Sequence, residues 1–165
     1  MSTKKIAEVL QELLTVHQVF RKIAKEKAEV LKKGDMPALD QLIKKEAVVI
    51  QQLKKLEQDR LFVVEQYLHS KGLVTEGVTM AQLIQMTSPE EQEVLEKLQQ
   101  ELLDEIEGLK AENELNQQLI QDSLRFVNLS LDMLSPQQDE EVNYKRPKPN
   151  QYEGGASRSI FDSRA

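Results

Sequence analysis

Residues 32–42 read KKGDMPALDQL, and no other stretch restricts the fold as strongly. Lys32 and Lys33 suit the negative end of a finishing helix. Gly34 suits the left-handed turn that closes it. Asp35 can accept hydrogen bonds as the cap of the next helix, and Pro37 is tolerated in a first turn, where its missing N–H has no helical partner. One helix therefore stops and another starts within about three residues, which forces the two to lie antiparallel as an αα-hairpin.

The flanks agree. No Gly or Pro occurs from Thr3 to Lys33. With Ile6 at heptad position a, Leu13 and Phe20 follow at a, and Val9, Val16, Ile23 and Val30 at d. Only Lys27 interrupts the stripe. The pattern predicts a helix over 3–33, ~46 Å long. A second helix is predicted over 36–71, with Leu39, Leu42, Val49, Leu53, Leu56, Val63 and Tyr67 as its seam, widened by Ile43, Ile50 and Val64. Glu46 and Arg60 fall on that stripe and are expected to be partly exposed, with their stems along the core. Residues 73–88 form a connector with one short helix over 79–86, capped by Thr79 and packing on the bundle through Leu83, Ile84 and Met86. In SPEEQEVLEKL, Ser88 caps, Pro89 opens and Glu91 completes a capping box. The third long helix then runs over 89–134, ~69 Å, until Pro136.

The fold class is thus all-α: a long antiparallel three-helix bundle or coiled coil over 1–134, with a short connector helix. Residues 135–165 hold three of the five prolines and lose all periodicity, so a disordered tail is expected there. Aromatics make up 4% of the chain and Trp is absent, which fits long helices better than sheets. Without Cys there is no disulfide or thiolate chemistry. No apolar run is long enough to span a bilayer, and the start of the chain lacks a signal-peptide core.

The net charge of -6 is unevenly placed. Residues 1–33 carry eight basic and four acidic groups, whereas 73–134 carry three and thirteen. A basic helix is expected beside an acidic one in the same bundle. Nucleic acid is not an expected partner of such a chain. His17 and His69 lack metal-ligand companions and are expected at the surface or rim. No catalytic residue, metal site or cofactor is predicted.

Residues 113–134, NELNQQLIQDSLRFVNLSLDML, hold too many apolar residues for one stripe. On a wheel of 100° per residue, Asn113, Asn116, Leu124, Val127, Leu131 and Leu134 cluster around Ile120 and continue the seam of Leu95, Leu98, Leu102, Ile106 and Leu109. Leu115, Leu119, Phe126, Leu129 and Met133 form a second group. If this helix runs back along the second one, it passes that helix's start near Arg125, and the apolar residues beyond have no partner. The candidate partner-binding residues are Leu115, Leu119, Ile120, Phe126, Leu129 and Met133. A register shift, a fold-over of residues 73–86, or a homo-oligomer would also cover them; the last would make the chain a structural coiled-coil homodimer or adaptor.

The segments LKKGDMPALDQLIKKEAVVIQQLKKLEQDR and NELNQQLIQDSLRFVNLSLDML resemble the FlgN family of flagellar export chaperones. The resemblance implies a cytoplasmic, non-enzymatic chaperone for the helical C-terminal segments of the hook–filament junction proteins FlgK and FlgL. It implies cargo binding by the C-terminal part of the last helix, and delivery to the type III export apparatus with its gate protein FlhA. No residue here is carried over as a gate contact. Ile160 and Phe161 in the tail have the character of a docking motif, but an idle end is expected.

Overall fold

The computed structural model describes residues 3–134. They form α1 (Lys4–Lys33), α2 (Met36–Ser70), α3 (Met80–Gln85) and α4 (Pro89–Leu134), with no strand among the described residues. The expected tail, with Ile160 and Phe161, lies outside them.

The boundaries follow local chemistry. Gly34 has φ 69°, and its N–H donates to the Leu31 carbonyl while that of Asp35 donates to Val30. The Asp35 carboxylate accepts from the Ala38 N–H at 3.1 Å, opening α2. Thr79 and Gln82 form a reciprocal capping box at α3. Ser88 and Glu91 do the same at α4, each side chain meeting the other's backbone N–H at 3.4 Å.

α1 lies between the other two long helices. Its a and d rows, including Ile6, Leu13, Phe20 and Ile23, are buried or half-buried, as the heptad predicts. Its e row, Leu10, His17, Ala24 and Leu31, is fully buried as well, and its b row of Ala7, Leu14, Arg21 and Ala28 is buried or half-buried. α1 therefore has two inward faces. The backbones of α2 and α4 nowhere approach within 8 Å, Cα to Cα, whereas α1 packs closely on both. The expectation that α4 runs back along α2 is corrected: it runs along α1. The second α1 face carries little hydrophobic signal because alanines, a histidine and an arginine occupy more than half of it.

Hydrogen bonds fix the direction. The Thr3 hydroxyl donates to the Glu91 carboxylate, and the Asn116 side-chain amide donates to the Ala24 carbonyl at 2.8 Å. Low numbers meet low and high meet high, so α4 is parallel to α1 and antiparallel to α2. Leu83 and Ile84 of α3 are fully buried among Ile6, Leu10, Leu95 and Leu98 and plug the end away from the hairpin. Met86 is exposed instead of packing there.

Two exceptions to the predicted seams turn out to be one interaction. Lys27 and Glu46 meet across α1 and α2 at 2.8 Å, with side chains only 14% and 17% exposed. Arg60, half-buried, pairs with Glu57 on its own helix at 2.9 Å. Ile43 is exposed and does not widen the seam. The basic and acidic helices are neighbours, joined by Arg21 and Glu105 at 3.4 Å. His17 is buried, contrary to the surface position expected for it, because it occupies the e row that faces α4.

Candidate docking site on the last helix

The α4 seam follows a strict three–four spacing through Leu95, Leu98, Leu102, Glu105, Leu109, Glu112, Asn116 and Leu119, all buried or half-buried. Ile106 and Ile120, which the 100° wheel put in the seam, are exposed. Helices that pack together over many turns keep a 3.5-residue repeat, and a straight-helix wheel drifts ~20° from it per heptad. Between Leu95 and Ile120 the drift reaches about 70°, enough to move one row to its neighbour.

The middle of the α1–α4 seam is polar. The Arg21 guanidinium lies on Gly108, where an added Cβ would come 2.3 Å from Arg Cζ. His17 Nδ1, Arg21 Nε and Asn116 Oδ1 are buried without a hydrogen-bond partner. Burial holds the His17 imidazole below its ordinary pKa of 6.5, outweighing the nearby Glu105 and Glu57 carboxylates. Such groups cost stability and favour one register over others. At the plugged end, hydrogen bonds from Thr3 and Ser88 hold the Glu91 carboxyl below its usual range.

Asn116 is the last buried residue of α4. Carrying the Ala24–Asn116 offset of 92 residues forward sets Leu31 level with Ser123. Past the end of α1 at Lys33, α4 projects by ~14 Å, at 1.5 Å per residue. Along this arm Leu124, Phe126, Val127, Leu129, Leu131, Met133 and Leu134 are all exposed, Phe126 by 70% and Met133 by 77%. Of the predicted site residues, Leu115 and Ile120 are exposed just below the arm, and Phe126, Leu129 and Met133 lie on it. Leu119 is half-buried at the last seam position. Leu124, Val127, Leu131 and Leu134, which the wheel assigns to the seam, share the arm's exposure because no other described helix lies opposite them. Ser123 and Ser130 donate their hydroxyls to the carbonyls of Leu119 and Phe126 at 2.8 and 2.9 Å. Their polar groups are satisfied within the helix, so they interrupt the apolar surface little.

Neither intramolecular cover for this surface is realised. The register starts α1 and α4 level, as Thr3 and Glu91 require, and residues 80–85 pack at the opposite end. Among the described residues no group of three His, Cys, Asp or Glu is placed to hold a metal. No helix among them is long and apolar enough to cross a membrane.

A bundle whose longest helix ends in an uncovered apolar arm has the form of a protein-binding module. Residues 1–151 match the family described as FlgN protein, and the chain belongs to that family of flagellar export chaperones. It is also similar to "Uncharacterized protein YvyG" of Bacillus subtilis (strain 168), at 33% identity over 165 residues, covering 100% of both chains. No solved structure matches the chain.

Proposed function

We propose that this chain is a cytoplasmic chaperone for the hook–filament junction proteins FlgK and FlgL. In this reading it holds their C-terminal helical segments on the distal part of α4 through Leu115, Leu119, Ile120, Phe126, Leu129 and Met133. It thereby prevents premature assembly and passes cargo to the export apparatus and its gate protein FlhA. The observation that carries the reading is the run of exposed apolar side chains above Asn116. Burying one such side chain is worth ~1.5–3 kcal/mol. A few of them offset the ~2–5 kcal/mol needed to order a disordered cargo segment as helix. Moderate affinity then leaves the cargo free to be taken by the next partner.

Calorimetric titration with purified FlgK and FlgL tests it. Phe126→Asp combined with Leu129→Asp should abolish binding, with helicity and melting nearly unchanged because both positions are exposed. A stable dimer at micromolar concentration that buries Phe126 and Met133 and takes no cargo would replace the proposal with a structural homodimer.

A further inference from the structure

α2 and α4 both pack on α1 but nowhere come within 8 Å of each other, Cα to Cα. A shallow groove therefore runs between them, with α1 beneath it. Packing shows which rows line it. On α2 the row Ile43, Ile50, Glu57, Val64 flanks the α1 seam. Ile50 packs against the cluster that holds Phe20 and Leu109, and Val64 against the one that holds Leu83 and Leu95, so this flank faces α4. On α4, Arg21 lies over Gly108 from the side of α1 turned away from α2. The other flank of α4, Gln99, Ile106, Asn113 and Ile120, hence faces α2.

One end of the groove is already filled. Leu83 and Ile84, adjacent on α3, are fully buried in the cluster of Leu68, Leu95 and Leu98. Above them the groove stays open, and Ile43, Leu61, Leu103, Ile106 and Ile120 along it are each at least 38% exposed. The Lys27–Glu46 and Ala24–Asn116 contacts set the levels. Ile43 lies across from Ile120, Lys54 from Lys110 and Leu61 from Leu103, to within about half a turn. Lys54 and Lys110 are exposed on opposite rims, and neither forms an ion pair among the described residues. Two like charges facing each other across an apolar groove suit an occupant that sets a carboxylate beside apolar side chains.

Residues 135–165 lie outside the described structure and follow directly on the tip of α4. Ile160 and Phe161 are the one adjacent pair of large apolar residues among them, a counterpart to Leu83 and Ile84, and Asp162 comes next. Tyr144 would bring Lys145 and Arg146 toward the groove lysines, and Tyr152 has no apolar neighbour. From Leu134 back to the level of Ile106 is ~42 Å along α4. The chain from Leu134 to Ile160 reaches ~85 Å when extended. So tethered, the segment is held at an effective concentration on the order of millimolar, and weak docking suffices to fill the groove.

We infer that residues 159–163 dock in cis in the open part of the α2–α4 groove. Ile160 and Phe161 sit on Leu61, Leu103 and Ile106, and Asp162 lies between Lys54 and Lys110. Arg158 and Arg164 stay at the rim, where the next row of α4 carries Glu107 and Glu114. The arm of α4 takes no part, so the inference stands apart from the cargo reading.

The chain has no tryptophan, so Phe161→Trp places a single indole on the segment. In the full chain its emission should lie to the blue of that from a peptide of residues 156–165 with the same change, and acrylamide should quench it severalfold less. Asp162→Lys should raise quenching to the peptide's level, and adding Lys54→Glu with Lys110→Glu should restore the shielding. Leu61→Glu with Leu103→Glu should also release the segment, with unchanged circular dichroism because both leucines are exposed. Quenching equal to the peptide's in the otherwise unaltered chain would overturn the inference. So would shielding that survives the Leu61 and Leu103 changes but is lost with Phe126→Asp and Leu129→Asp, which puts the segment on the arm. Shielding that fades on dilution from micromolar to nanomolar would overturn it too, because the groove then belongs to a second copy.

Discussion

The lower and upper parts of α4 share a heptad and differ in what lies opposite. Below Asn116 the helix faces α1 along one narrow seam, and that seam tolerates glutamates, a glycine and a buried asparagine. Above Ser123, the rows of Leu124 and Leu131, of Phe126 and Met133, and of Val127 and Leu134 are wholly apolar, and nothing in the described chain covers them. Apolar residues are thus concentrated where they add nothing to the packing of residues 3–134. A helix under selection for stability alone would have the reverse distribution.

The largest expected effect separates the two parts directly. Leu95→Ala, in the lower core beside the plug of α3, should cost about 2–5 kcal/mol in a denaturant titration. Phe126→Ala should change stability by less than about 0.5 kcal/mol while weakening cargo binding. Equal stability losses would mean that the arm has a covering partner in the free protein. Next comes the Lys27–Glu46 pair. Glu46→Ala leaves a half-buried ammonium without its carboxylate and should cost about 1–3 kcal/mol. Lys27→Met with Glu46→Leu should recover most of that loss, since two apolar residues of similar size fill the gap.

His17 gives a pH-dependent test. Its folded pKa lies below 6.5, so the unfolded chain binds the proton more readily. The stability tied to its neutral form is complete above the unfolded value and is lost as pH falls below it. From about pH 7.5 to about pH 5.5 the wild type should lose more stability than His17→Gln, which has no charge to gain in that interval. Equal losses would mean that the imidazole reaches solvent. The smallest effect is expected for Gly108→Ala. The gain of about 1 kcal/mol in helix propensity is offset by displacing Arg21 from Glu105, and the melting temperature should hardly move.

The hairpin, the caps and the four helices were legible because each rests on local chemistry: Gly34, Asp35, Thr79, Ser88 and Glu91 act within a few residues of themselves. What was not legible depends on packing. The second face of α1 runs through Ala24, Ala28, His17 and Arg21, which carry little hydrophobic signal. Its trace was the seven-residue spacing of Leu10, His17, Ala24 and Leu31. The misplaced Ile106 and Ile120 came from a straight-helix period, which only a known packing partner corrects. The surplus at Phe126, Leu129 and Met133 was visible because it is a matter of quantity rather than of geometry.

Asn116 marks a frontier in what a substitution can cost. In the reading proposed above, changes on one side are judged by whether the chain folds and on the other by what it binds. The distal turns could then be rewritten without endangering the body. On that reading, a chimera joined at this asparagine would keep the melting behaviour of its trunk and take the partners of its tip.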